Sequence, residues 1–450
     1  MRSKLLALLA VVSAAAFGGC TVHPPGETRE RQAALREGKP FAARDSERPA
    51  LRLPDNPTPD DLVRYALQSS PELEQRYWEW RSAIEQIPQD GTQATNLAIS
   101  GSTGISRGRF STDRTVLTAG NDPMADIVWP EKLSTAARRA LENARAAGMR
   151  FQSAKYDLRN RVLSAYYDYA LDGELIRLEQ SNAELLSTTA IIVEARNRSG
   201  VSGQQDLLKA RNAADLSRND IAQMQSQLLV QRASLNALLN REPHAALLVP
   251  DQLPASRTVS LSDEQLVRLA AQRNPELQAL ADEIRGRAEG IELAHLEYIP
   301  DFSISASADL AGITQTLAGA VTVPLLRYQA IDAAIAQATA NLHAAEAMLR
   351  QSRLDLKARV VMDVAGLRDA DRQFALFEQL ILPRAKQAVT VARSAYETGQ
   401  ETLPDLLDSQ RSLIDIQRLT ANLRVMRAKR LADLEAVVAG NLESQGTSHG

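Results

Sequence analysis

The sequence predicts a mainly α-helical chain with a small β part, built as two tandem repeats of long antiparallel helical hairpins, each preceded by a β-hairpin. Three observations predict it. First, Ile331 to Thr398 holds one proline, Pro383, and one glycine, Gly366. Its apolar or small residues recur at steps of four and three: Val360, Val364, Leu367, Phe374, Ile381, Ala385, Ala388, Ala392 and Ala395, with Asp371 and Glu378 interrupting. That spacing marks a coiled-coil seam. At about 1.5 Å per residue the arm would run roughly 100 Å, longer than an ordinary domain is wide. Second, the chain repeats itself at roughly 200 residues, as internal duplications do. Arg198-Ser199-Gly200 through Asp206-Leu207-Leu208 returns as Glu397-Thr398-Gly399 through Asp405-Leu406-Leu407. Leu62-Val63-Arg64 with Pro71-Glu72-Leu73 returns as Leu266-Val267-Arg268 with Pro275-Glu276-Leu277. Third, Phe302, Ile304, Ala306, Ala308 and Leu310 alternate with small polar residues, and Leu317, Gly319, Val321 and Val323 do so again. Period two marks strands.

Residues 1–19 read as a signal peptide. Arg2 and Lys4 precede a short apolar run, Leu5 to Phe17, and Gly18-Gly19 precede Cys20. That is the order of a targeting segment. Cys20, the only cysteine, stands where a bacterial lipoprotein signal carries its lipidated residue. An ordinary cleavable signal is the alternative. Residues 20–57 are rich in Pro, Arg and Glu without periodicity and read as an extended, lipid-anchored tether.

Repeat 1 spans residues 58–242. Thr58 to Gln86 reads as helix, broken by Pro71 and stopped by Pro88. Asn96 to Ile105 alternates as a strand, Ser106 to Asp122 reads mostly as loop with possible strand at Thr115 to Ala119, and Ala125 to Trp129 reads as a short second strand. Glu131 to Arg198 is the first long helix, with Val162, Tyr169 and Ile176 on a heptad, and Gln204 to Asn240 returns. Residues 243–261 form a proline-bearing crossover. Repeat 2, residues 262–440, opens with a helix from Ser262 to about Tyr298, then the strands and the second helical hairpin. Residues 441–450 are a tail.

The formal charge of −3 over 450 residues points to no nucleic acid. Aromatics are only 4%, which suits narrow helix seams better than a broad core. Five scattered histidines give no metal-ligand spacing. No phosphate loop and no nucleophile–base pair stands out, so no enzyme and no cofactor is expected. No apolar run after the leader is long enough for a membrane-spanning helix.

Over nearly all of residues 58 to 440 the chain resembles the outer-membrane efflux protein family, the TolC-like channels, here of lipoprotein type. The glycine tips followed by Asp-Leu-Leu carry the resemblance. So does Trp129-Pro130-Glu131-Lys132-Leu133, similar to the family's strand-to-helix junction, with Glu131 where glycine is common; Val323-Pro324-Leu325-Leu326 is its counterpart. The resemblance implies a homotrimer in the outer membrane. Four strands per chain would close a twelve-stranded β-barrel there, and the long helices would form an α-barrel tube through the periplasm. It also implies a periplasmic adaptor (membrane fusion) protein and an inner-membrane transporter as partners.

The candidate site residues follow from the same resemblance. Ser199, Gly200, Val201, Thr398, Gly399 and Gln400 match hairpin ends where the adaptor docks; for the two glycines, reversal of the chain after a helix explains them equally. Asp405 and Asp408 match paired aspartates that line the periplasmic aperture. Spaced by three they share a helix face, although an acid at Asp405 also suits the helix dipole. Tyr396 and Asp206 match a pair that locks the closed gate, with Glu401 where the family carries an assisting arginine. The main expectation is an exit duct of a tripartite efflux system. A type I secretion exit duct and a non-conducting periplasmic coiled-coil lipoprotein are the rivals.

Overall fold

The computed structural model describes residues 21–43, 47–48, 51–93, 97–106, 109–121, 128–253, 257, 259, 261–309, 315–322 and 327–442. Cys20, residues 125–127 and residues 323–326 lie outside them. In chain order the elements are α1 (Glu27–Glu37), α2 (Pro59–Ser69), α3 (Pro71–Gly91), β1 (Leu97–Ser106), β2 (Arg109–Asn121), α4 (Pro130–Arg198), α5 (Gln204–Leu238), α6 (Asp263–Arg273), α7 (Pro275–Leu296), β3 (Asp301–Asp309), β4 (Gln315–Thr322), α8 (Tyr328–Leu376), α9 (Leu382–Thr398) and α10 (Leu403–Val438). The order α2-α3-β1-β2-α4-α5 is thus repeated from α6 onward.

Local chemistry sets the matching starts. Thr58 and Ser262 each close a capping box, with Asp61 and Gln265 as the returning side chains. Pro71 and Pro275 then force the preceding residue into extended backbone, which separates each short helix from the next.

The chain divides into two compact units, each drawing on both repeats. The first takes in residues 75–151 and 276–352 and the amino-terminal stretch up to 39; the second takes in 40–74, 152–275 and 353 onward.

The first unit carries one antiparallel sheet of order β1-β2-β3-β4. Leu117 of β2 pairs with Ala308 of β3, so the hairpins of the two repeats are joined side by side. The sequence reads a short second strand at Ala125 to Trp129, most of which lies outside the described residues, and strand in the preceding loop only at Thr115 to Ala119. The structure places the second strand at Arg109–Asn121, and the first hairpin is the longer of the two. Arg109, Asp113 and Arg114 hide the run in the sequence. A strand paired on both sides draws its stability from the ladder more than from its own propensity. The pairing of β1 with β2 shifts register between Ser102 and Gly104, a bulge-like irregularity. At the base of the sheet, Lys132 in the first turn of α4 reaches Asp301 at the start of β3, at 2.9 and 3.0 Å.

The amino-terminal stretch is not the extended tether that composition suggested. Residues 27–37 are helical, and α1 packs on α3: Arg31 pairs with Glu85 at 2.8 Å, and the Trp80 indole donates to Glu30 at 2.8 Å. Pro88 likewise does not stop α3, which runs to Gly91. Proline cannot donate to the carbonyl four residues back. Here that carbonyl, of Ile84, accepts a long 3.5 Å bond from Arg31 instead.

In the second unit the long helices meet along narrow seams. Val162, Tyr169 and Ile176 of the predicted heptad are all buried. One cluster joins Leu266 and Ala270 of α6, Val360, Val364 and Leu367 of α8, and Leu431, Leu434 and Val438 of α10. Between α8 and α9 lies one π turn, Phe377–Ile381. Leu382 donates to the carbonyl of Phe377, five residues back. The wide turn accommodates Pro383. Beyond it Ala392 is buried as the repeat predicts, while Val389 and Tyr396 are buried in place of Ala388 and Ala395.

Candidate functional site

The two hairpin tips lie together in the second unit. Each long helix ends on a glycine in the left-handed region, Gly200 at φ 77° and Gly399 at φ 80°. The hydrogen bonds are the same at both ends. Val201 N–H donates to Arg196 O at 2.9 Å and Gly200 N–H to Asn197 O at 3.0 Å; Gln400 N–H donates to Ala395 O at 2.8 Å and Gly399 N–H to Tyr396 O at 3.1 Å. This is the Schellman closure of a helix. A side chain at Gly200 would meet nothing within 4 Å, so backbone conformation and not space requires glycine there. Ser199, Gly200, Val201, Thr398, Gly399 and Gln400 are all exposed.

Behind the tips a small core fixes both hairpins: Val193, Leu207, Ala210, Ala392, Tyr396, Leu403 and Leu406. It explains the duplicated Asp-Leu-Leu, whose first leucine is buried in each copy, while Leu208 stands 51% exposed. One contact ties the tips directly. Arg196, in the last turn of α4, donates to Tyr396 O at 2.7 Å and to Glu397 O at 3.1 Å. Its guanidinium carbon lies 4.8 Å from the centre of the Tyr396 ring, a cation–π arrangement. The Tyr396 hydroxyl is buried and makes no hydrogen bond. Burial raises its pKa above the usual phenol range; the charge of Asp206 pushes the same way, and Arg196 opposes both.

Asp405 and Asp408 are exposed on the first turns of α10. Asp405 is engaged locally: the Thr402 hydroxyl donates to its carboxylate at 2.5 Å and the Thr402 N–H at 3.4 Å. Asp408 faces a shallow groove with Arg411, Ser412 and Asp415. Arg196 was missed at the sequence level. A basic residue in a last helical turn signals donors for free carbonyls, but the sequence does not say that they belong to another helix.

Cys20 is not described, but the residues after it are tied down. The Thr21 hydroxyl lies 3.0 Å from that of Thr92, and Val22 N–H donates to Gly91 O at 2.9 Å. That tie is five residues before β1. Among the described residues no group of three or more His, Cys, Asp or Glu could hold a metal ion, and no helix is long and apolar enough to cross a membrane.

The model of the outer membrane efflux protein family matches residues 62–241 and 266–440. The pyoverdine export outer membrane protein OpmQ of Pseudomonas putida is 24% identical over 328 residues, covering 69% of this chain and 68% of that protein. The cobalt-zinc-cadmium resistance protein CzcC of Cupriavidus metallidurans is 24% identical over 280 residues, covering 61% and 65%. Among solved structures, the outer-membrane channel OprN superposes with a TM-score of 0.75 at 17% identity, covering 86% of this chain and 91% of that one; this likeness is one of fold.

The cap at Asp405 gives a direct expectation. Asp405→Ala loses about 1 kcal/mol of stability, whereas Asp408→Ala, which takes no part in the cap, stays within about 0.5 kcal/mol of the parent. Thermal unfolding of the two single variants checks this, and equal losses would remove the cap as the reason for Asp405.

Proposed function

Because this chain belongs to the outer membrane efflux protein family, matched over residues 62–241 and 266–440, we propose that it is the exit duct of a tripartite efflux system, a homotrimer that passes cargo through the outer membrane. The observation that carries this reading is the four-stranded sheet joined to the long helical hairpins. Its outer strands, β1 and β4, have no further neighbour among the described residues. Open strand edges cannot face lipid, because unpaired N–H and C=O groups are too costly there. Three copies, edge to edge, close a twelve-stranded barrel and leave no edge. Apolar residues on the helices support the same stoichiometry. Leu216, Leu229 and Val230 on α5, and Val361 and Met362 on α8, are each more than half exposed in the single chain; neighbouring copies would cover them.

In this reading residues 58–242 and 262–440 act as two equivalent staves of the duct wall, linked by 243–261. The exposed tips meet a periplasmic adaptor protein, which connects the duct to an inner-membrane transporter. Asp405 and Asp408, three copies of each, ring the periplasmic mouth, where carboxylates held close attract cations. Tyr396 and Asp206 belong to the gate. Cys20 carries the lipid that joins the N-terminus to the outer membrane, one residue before the tie at Thr21. OpmQ and CzcC are named for different cargoes, so the fold does not set the cargo here.

Planar-bilayer recording of the purified protein, with native mass spectrometry of its stoichiometry, tests the duct. A conducting trimer is expected; a non-conducting trimer would favour a structural lipoprotein. In the same assay, Asp405→Ala with Asp408→Ala should lower cation preference, read as the reversal potential under a salt gradient. Retention of the parent preference would leave these acids with a structural role only. Val201→Glu with Gln400→Glu should keep the trimer and abolish export in cells, and undiminished export would remove the tips as the docking surface. Mass spectrometry of the mature N-terminus should find acyl chains on Cys20; an unmodified terminus at another residue would overturn the anchor.

A further inference from the structure

The geometry points to Arg196 as the residue that positions the second hairpin tip against the first, acting on the ring and main-chain carbonyls of Tyr396 and not on its hydroxyl. This inference rests on the reading of the chain as a duct whose mouth is formed by the tips.

The contact is made by Nη1 and the face of the guanidinium, while Nε is buried without a hydrogen-bond partner. The last carbonyls of a helix have no partner within it and sit at the negative end of its dipole. Arg196 brings a cation to two carbonyls at that end of α9: its Nη1 donates to Tyr396 O at 2.7 Å, which also accepts from Gly399 N–H, and to Glu397 O at 3.1 Å. The same guanidinium covers the Tyr396 ring at 4.8 Å. A planar guanidinium can stack and bridge at once, which an ammonium cannot.

The hydroxyl is a bystander. Tyr396 Oη is buried without a hydrogen bond.

The duplication strengthens the argument. Aligning the two tips on Gly200 and Gly399 places Ala395 opposite Arg196, and Tyr396 opposite Asn197. The two copies have therefore diverged in complementary ways. One supplies the cation; the other supplies the ring and the carbonyls. Asn197 is used differently, donating to Ser202 O within its own tip at 2.8 Å. Glu401, the residue in place of the family's arginine, is on the second tip; the positive charge at this junction comes from the first tip instead.

The test is a tip-to-tip distance in the intact trimer. Spin labels on Ser199→Cys and Thr398→Cys report that distance by pulsed dipolar spectroscopy. Arg196→Gln should broaden the distribution, and Arg196→Lys should broaden it less. Tyr396→Phe should leave it as in the parent, and Tyr396→Leu should broaden it. In planar bilayers the broadened variants should show severalfold higher and noisier single-channel conductance at unchanged trimer mass. A narrow distribution in Arg196→Gln, or a Tyr396→Phe variant as disordered as Arg196→Gln, overturns the inference. A parent trimer that does not conduct overturns the duct reading instead, while the distances still decide the role of Arg196.

Discussion

The structure of the second unit depends on the polar links along α10. Long helices bury only a narrow stripe, and small side chains in a seam give little resistance to sliding. What fixes the register is a series of buried or half-buried polar contacts. Gln410 donates to Thr189 at 2.9 Å. Arg418 pairs with Glu179, a carboxylate only 1% exposed that also accepts from Ser217. Lys429 reaches Asp168 at 2.8 Å, and Glu435, fully buried, binds Arg159 at 2.9 Å and Arg257 at 3.3 Å. As the position on α10 rises, its partner on α4 falls, as two antiparallel helices in one register require. A slip by one turn would leave a charge buried and unpaired, at a cost of several kcal/mol.

That register reaches the tips. With α4 and α10 fixed against each other, the tip core of Val193, Leu207, Leu403 and Leu406 closes. Arg196 then comes within reach of the α9 carbonyls. The tip geometry is thus decided along the whole seam, while the tip residues themselves stay exposed.

Prolines show the same division between local rule and tertiary answer. Pro383 does not end its helix, because a π turn widens the backbone by one residue; beyond it Val389 and Tyr396 are buried. Pro88 does not end α3, because Arg31 from α1 lies close to the carbonyl that Pro88 leaves unbonded. Each proline removes one donor, and the surrounding structure decides whether the helix survives.

The sequence by itself determined what depends on periodicity and local stereochemistry. The long helices, the duplication, the second β-hairpin and the reversals at Gly200 and Gly399 were all legible there. So was the family, from the ordered tips and junctions. Tertiary structure decided the rest. Strand β2, interrupted by Arg109, Asp113 and Arg114, is specified by pairing with both β1 and β3. Helix α1 is marginal alone, with no strong apolar periodicity, and stands packed on α3. Arg196 and Tyr396 are about 200 residues apart in the sequence and are brought into contact by the register of helices that neither residue specifies. Periodicity says which face of a helix is buried; only packing says against what, and at which height.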